Sequence, residues 1–277
     1  MEHILVPVDF SKPSENALRV AAKLAKKNNA KIHTLHVVEL AESLFGSGQF
    51  NVDNEEIIFF MELAKRKFKE FLDKDFLEDI QTDDIVEVGS TTFAIEEVVK
   101  RNDVDLIVMG SNGVSGIEEV MIGSNTEKVV RNSEIPVLVI KQDIEKIDFK
   151  KVLFATNFEL ENVTAYNKAK SFADSFNAQL KMVYINMPGN QFYSTSEIRD
   201  HMRKFLNKVE VPLNHENVKI YNDYSIQEGV LNASRDDKFD LIAMPTHGRK
   251  GLSHFFNGSI GEDVVNRSNL PVITFKI

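Results

Sequence analysis

The chemistry this sequence suggests is carried by glycines placed after an apolar run. Gly110, Gly113 and the Gly123-Ser124-Asn125 triplet lie in VMGSNGVSGIEEVMIGSN, which continues the buried-strand pattern of Asp105 to Met109 (DLIVM). Glycines at the carboxyl end of a strand let backbone N–H groups approach a ligand closely. Ser124 to Glu127 (SNTE) has the Ser-x-x-Glu form of a capping box opening a helix, and a helix N-terminus favours anions. The spacing reads as a phosphate cradle. The plainer alternative is that Gly110 and Gly113 shape a turn and Ser124 only caps.

Other chemistry finds little support. There is no G-x4-G-K-[ST] loop and no G-x-G-x-x-G fingerprint, and no nucleophile stands beside a base. Zero cysteines remove disulfides, thiol chemistry and cysteine-based zinc sites. His33 and His36 are three apart on an expected strand, so they point to opposite faces and cannot share a metal. His247 and His254 flank a second glycine segment, where phosphate contact or plain exposure is the expectation. Glu118 and Glu119 could bind a cation, but a solvated acidic face is the commoner explanation. Phe59, Phe60, Phe68, Phe71 and Phe76 fall largely at helical spacing and read as core or inter-domain packing.

The elements that must position these residues alternate. Ile4 to Val8 reads as a strand ending at Asp9, followed by a helix after Ser11 or Ser14 and a strand over Lys31 to Val38. After a loop from Ala41 to Asp53 comes a long helix from Asn54 to about Ile80. A strand over Ile85 to Val88, a helix over Ala94 to Arg101, the strand before Gly110, the capped helix and the strand Pro136 to Ile140 complete the half. Strands separated by helices imply right-handed crossovers and a parallel sheet covered on both faces.

The order then repeats. Residues 142 to 150 form a polar connector, and Lys151 to Thr156 matches Ile4 to Val8 with Asn157 in the place of Asp9. Residues 113 to 141 and 248 to 276 align without gaps and share 11 identities, including Gly123, Ser124, Pro136 and Lys141. That is an internal duplication, two copies of one domain over 1–141 and 151–277.

The chain has 277 residues and a net charge of −9. Cut at Lys146, the first half carries 17 Lys and Arg against 27 Asp and Glu, and the second 16 against 15. An acidic chain without a basic stripe is a poor candidate for nucleic acid. No apolar run approaches the roughly 18 residues of a membrane span, and the N-terminus enters a strand at once, so a cytoplasmic protein away from membranes is expected.

The Gly-x2-Gly-x9-Gly-Ser pattern after a strand, with V-P-V-D-F-S closing the first strand and PVLVI the last, resembles the universal stress protein family across essentially the whole chain. The resemblance implies an α/β fold of two tandem Rossmann-like domains, each a five-stranded parallel sheet flanked by helices. It implies pairing through the last strands, Val137 to Ile140 with Val272 to Phe275, as an intramolecular pseudo-dimer, with a further homodimer open. One branch of that family binds ATP. By resemblance Asp9 would bond the adenosine portion, the Val38 backbone the adenine, and Gly110 would lie near the ribose. Gly113, Gly123, Ser124 and Asn125 would take the phosphates.

The halves depart from the pattern differently. The first keeps Asp9 and every glycine, but its insert has no basic residue, so backbone N–H groups, the helix dipole and Mg²⁺ would balance the phosphates. The second places His247, Arg249, Lys250 and His254 around Gly248, Gly258 and Ser259, yet replaces the strand-end acid by Asn157 and the first glycine by Pro245. Proline removes an N–H and fixes φ, which favours the first half as the site. Three functions stand at this point. The chain is read first as an adenine-nucleotide-binding stress-response regulator acting through a protein partner. A slow ATP hydrolase or phosphoryl-transfer enzyme using the same site and a nucleotide-free scaffold are the alternatives.

Overall fold

A computed structural model describes residues 1–39, 54–111, 123–141, 148–214, 216–246 and 259–277. The first half contains β1 (His3–Pro7), α1 (Lys12–Asn28), β2 (Lys31–Val38), α2 (Asn54–Leu72), β3 (Thr82–Val88), α3 (Thr91–Arg101), β4 (Leu106–Gly110), α4 (Ser124–Asn132) and β5 (Val137–Ile140). The second repeats it with β6 (Lys151–Ala155), α5 (Val163–Ser175), β7 (Gln179–Asn186), α6 (Thr195–Lys208), β8 (Val218–Asn222), α7 (Ile226–Asp236), β9 (Leu241–Thr246), α8 (Ser259–Arg267) and β10 (Val272–Lys276).

The ten strands among the described residues join one sheet in the order β3-β2-β1-β4-β5-β10-β9-β6-β7-β8. Within each half the pairs are parallel. The seam between halves is antiparallel, with Val139 opposite Val272, Leu138 opposite Ile273 and Val137 opposite Thr274. The expected pairing of the last strands is therefore made within the chain. It leaves β3 and β8 as the outer edges and buries two edges that would otherwise template association. Alternating side chains build two apolar layers, one on each face, and both layers run through both halves.

Two lysines that occupy the same repeat position cross the seam. Lys141, buried, donates to the Asn266 carbonyl in the last turn of α8. Lys276 reaches Glu134 after α4 at 3.5 Å. Lysine at a helix C-terminus meets free carbonyls and the negative end of the dipole.

Three local expectations change. The long helix stops at Leu72, and a short 3₁₀ turn over Asp75–Leu77 follows, which buries Leu77 and sets Phe76 under the Arg19 guanidinium at 4.7 Å. The strand expected from Ile85 begins at Thr82, because Thr82 to Asp84 pair with Ile32 to Thr34 along an edge. There Asp83 meets Lys31 at 2.5 Å, a charged edge of the kind that resists further pairing. Phe68 and Phe71 are core, whereas Phe59 and Phe60 are 61% and 37% exposed. The fully buried aromatic thus comes from the C-terminal part of α2, the part whose rings meet Phe10.

Candidate functional site

The carboxyl ends of β1, β2 and β4 and the N-termini of α1 and α4 enclose a cleft of about 400 Å³. It sits beyond the strand ends where the order reverses between β1 and β4, the place at which open parallel sheets bind ligands.

The β1 side is built by a tight exit from the sheet. Val8 N–H donates to the Leu35 carbonyl at 2.8 Å, holding the chain on β2 before it leaves. Phe10 then adopts a left-handed backbone, φ 63°, a conformation that costs a non-glycine residue about 1 kcal/mol. Its ring packs against His36, Phe68 and Phe71, which offsets that cost. The turn brings the Ser11 N–H onto Asp9 Oδ1 at 3.0 Å, and Ser11 caps α1 through the Ser14 N–H. Burial alone would raise the Asp9 carboxyl, but hydrogen bonds from the Ser11 hydroxyl and N–H and the Ser14 hydroxyl outweigh it and hold the pKa below its ordinary value. Asp9 is an ionised acceptor at neutral pH.

From β2, His36 donates through Nδ1 to the Val8 carbonyl at 2.9 Å and lines the cleft. His33 has different partners, His3 and Asp83, each at 3.1 Å, as the alternation of a strand requires. Glu39 accepts from the Thr91 hydroxyl at 2.5 Å and from the Asn125 amide at 3.5 Å, tying the end of β2 to the starts of α3 and α4.

From β4, Gly110 is fixed by packing. A Cβ there would lie 2.1 Å from the Pro13 carbonyl oxygen, so only glycine lets α1 sit this close. Thr126 Oγ1 donates to the Gly110 carbonyl at 3.4 Å and holds the first turn of α4 against the strand. The capping box does not form. Gly123 is the N-cap residue with no side-chain cap, Ser124 is the first helical residue, and Glu127 turns forward to Arg131 at 3.1 Å. The first intrahelical bond is from the Glu127 N–H to the Gly123 carbonyl. The N–H groups ahead of it and the exposed Ser124 hydroxyl thus face a position suited to an anion. Gly123 has an ordinary φ of −54°, and among the described residues a Cβ there would meet no atom within 4 Å. Neither its conformation nor packing among the described residues demands glycine at that point.

The structure brings Asp9, Gly110, Gly123, Ser124 and Asn125 to one cleft. Val38 does not line it; Val37 does, and the Val38 carbonyl accepts from Gly89 N–H at 3.0 Å. Gly113, with Glu118 and Glu119, lies outside the described residues, as do His247, Gly248, Arg249, Lys250, His254 and Gly258. Reasoning from sequence missed Glu39, Thr91 and Ser111 as cleft residues, and Phe10 as the residue that shapes the turn. One signal for Phe10 was present, since phenylalanine recurs at Phe158 after Asn157, where the backbone is again left-handed at φ 61°.

The second half treats the corresponding end differently. Asn157 is buried, and its Oδ1 accepts from Glu159 N–H at 3.1 Å and from the Asn162 amide at 2.5 Å. A 3₁₀ turn over Leu160–Asn162 intervenes before α5, so the helix opens further from the strand than α1 does. Pro245, which replaces the first glycine, lies within β9 opposite Phe275.

Among the described residues, no helix is long and apolar enough to cross a membrane, and no group of three or more acidic or histidine side chains is placed to hold a metal. A sequence model of the Universal stress protein family matches residues 1–141 and again 148–276. Universal stress protein Slr1230 of Synechocystis is 24% identical over an alignment of 301 residues that takes in 100% of both chains. Universal stress protein MJ0577 of Methanocaldococcus jannaschii is 32% identical over 154 residues, 50% of this chain and 94% of that protein. The crystal structure of a universal stress protein from Archaeoglobus fulgidus superposes with a TM-score of 0.77 at 23% identity, covering 99% of this chain and 98% of that one.

Proposed function

The chain belongs to the universal stress protein family as a tandem, two-repeat member, and from that premise we propose that its first half binds an adenine nucleotide, ATP with Mg²⁺, as a regulatory ligand. The observation that carries this reading is the cleft itself, which sets an ionised carboxylate, Asp9, across from the uncapped N-terminus of α4. A carboxylate suits the hydroxyl or amino donors of a nucleoside, and free helix N–H groups suit its phosphates. Asp9 would take the adenosine portion. The backbone and hydroxyl groups of Ser124 and Asn125 would take the phosphates, together with Gly113 from the neighbouring insert.

Charge favours retention over turnover. The described lining contains Asp9 and Glu39 but no lysine or arginine, and the insert between Gly113 and Gly123 has no basic residue either. Phosphoryl transfer relies on cationic groups that follow the charge developing on the transferred phosphate. Here Mg²⁺ bound through phosphate oxygens would supply the balancing charge. The bound form would then be read by a protein partner.

The test is to denature freshly purified protein and identify the released nucleotide by chromatography, alongside Asp9→Ala and Gly113→Val. About one ATP per chain, lost in both variants, is the expected result. Protein that releases nothing and gives no heat on titration with Mg-ATP would exclude the reading.

A further inference from the structure

The second half has a cleft of its own at the other end of the sheet, about 390 Å³ in volume. It lies where α7 and α8 finish, ahead of the amino ends of β9 and β10, and so stands apart from the strand ends that bear Asp9 and Gly110. Arg235, Lys238 and Arg267 line it, and Glu228 is the single acid among the described lining residues. Glu228 is already paired with Arg267. The floor is carbon, built from the buried Leu231 and Phe239. Basic residues at helix ends ordinarily cover the last carbonyls, but here other groups have that task. In α7 the carbonyls of Ala233, Ser234 and Arg235 accept from the N–H groups of Asp237, Phe239 and Lys238 at 3.2, 3.0 and 3.2 Å, and that of Leu231 accepts from the Ser234 hydroxyl at 2.8 Å. In α8 the Val264 carbonyl accepts from the Ser268 N–H at 2.8 Å. Arg235 adds a contact of 3.4 Å to the Leu231 carbonyl, and the Lys238 ammonium has no partner among the described residues. Three cations and one paired acid leave an excess of positive charge at this corner, in a chain whose net charge is −9.

The first half shows that the repeat does not require this charge. α3 and α7 have the same length, 11 residues, and each is followed by a left-handed backbone at the second residue on, Asp103 (φ 49°) and Lys238 (φ 54°). An acid thus stands in the first half where the second has lysine. In the gap-free alignment Arg267 takes the place of Asn132, and Asn269 that of Glu134. All three positions are more positive in the second half, and Lys238, Arg267 and Asn269 all line the cleft.

We propose that this corner of the second half binds a small molecule carrying a diphosphate or two neighbouring phosphate groups, with Arg235, Lys238 and Arg267 on the phosphate oxygens and the organic part against Leu231 and Phe239. A carboxylate offers two acceptor oxygens in one plane, whereas a phosphate offers three at tetrahedral angles. The second arrangement suits cations that arrive from different directions, from α7, from the turn after it and from α8. The volume is that of a small-molecule site, and three cations at one corner are too few for a nucleic-acid track. The site is independent of any nucleotide in the first half.

The experiment titrates the full-length protein calorimetrically with sodium pyrophosphate, orthophosphate and citrate, and repeats the pyrophosphate titration with Lys238→Asp and Lys238→Arg. Lys238→Asp installs the residue that the first half carries on the same left-handed backbone, a conformation aspartate accepts, so the fold should hold. Pyrophosphate is expected to bind wild type about tenfold more tightly than either other anion. Lys238→Asp should weaken it by about tenfold or more, while Lys238→Arg stays within about threefold of wild type. Wild type that gives no heat with pyrophosphate would overturn the proposal. So would a Lys238→Asp protein that binds within about threefold of wild type, which would put the anion elsewhere, as at the N-terminus of α4. An equal loss in Lys238→Arg would mean that the lysine shapes the corner without supplying its charge, and citrate or orthophosphate held as tightly as pyrophosphate would overturn the diphosphate assignment.

Discussion

Gly110 and Asp9 stand together in the cleft for different physical reasons, and two substitutions separate them. Gly110→Ala forces a Cβ to within 2.1 Å of the Pro13 carbonyl. Such overpacking against backbone costs about 1–3 kcal/mol, so the variant should melt several degrees lower whether or not nucleotide is present. Asp9→Asn keeps the shape and an acceptor for the Ser11 N–H. It should lose nucleotide binding with a much smaller change in melting temperature. Equal thermal losses in the two variants would contradict this division.

The pH dependence of Asp9 has a fixed sign. A carboxyl whose folded pKa is depressed contributes stability above its unfolded pKa and loses it as pH falls through the folded one. The start of α1 should hold at neutral pH and loosen only in acid, below the ordinary value of 3.8. Amide exchange of Ser11 and Ser14 is the probe, and loosening near neutrality would be the wrong sign.

At the scale of elements, the alternation of strand and helix was legible because β1, β4 and β5 are nearly unbroken apolar runs and α1 has a clear apolar stripe. Thr82 to Asp84 were not legible as strand, since an edge strand needs no apolar face and two aspartates resemble a turn. The capping box was read into Ser124 to Glu127, but a pattern of four residues cannot show that Arg131, one turn on, pairs with Glu127. The cleft itself was legible only in part. Asp9 and the glycines have a recognisable spacing, whereas Glu39, Thr91 and Ser111 join it through contacts between elements far apart in sequence.

The seam offers an element-scale test. Leu138 and Ile273 face each other across β5 and β10 with no exposure. Leu138→Asp would bury a carboxylate in an apolar layer, a change that costs several kcal/mol. It should split a single urea transition into two, since the apolar layers of the two halves meet there. One retained transition would mean that the halves are coupled elsewhere.

Lys141 adds a titration at the same boundary. Burial pulls its ammonium from 10.5 down to about 8. Between those values the unfolded chain binds the proton more tightly, so stability should rise as pH climbs through that window. Lys141→Met should abolish the rise, and a pH profile unchanged in that variant would refute the assignment.

For the whole molecule, the two copies have kept one architecture and diverged at the strand ends. In the first half the acid at the end of β1 is exposed in a cleft; in the second its counterpart Asn157 is turned inward and held by Glu159 and Asn162. Restoring the side chain alone should therefore fail. Asn157→Asp is expected to leave stoichiometry at one nucleotide per chain, and Gly248→Val to leave binding intact. Two nucleotides per chain in the first variant, or none in the second, would reverse the assignment of the halves.

The antiparallel junction of β5 with β10 has a further consequence, because both strands belong to one polypeptide. Two separate chains meeting by such an edge would part on dilution, and in a mixture they would exchange partners. Here the tether fixes the local molarity of one edge around the other, so the meeting of the two halves is independent of how much protein is present. A change in abundance then alters the number of paired units but never the fraction that is paired, nor which copy stands beside which.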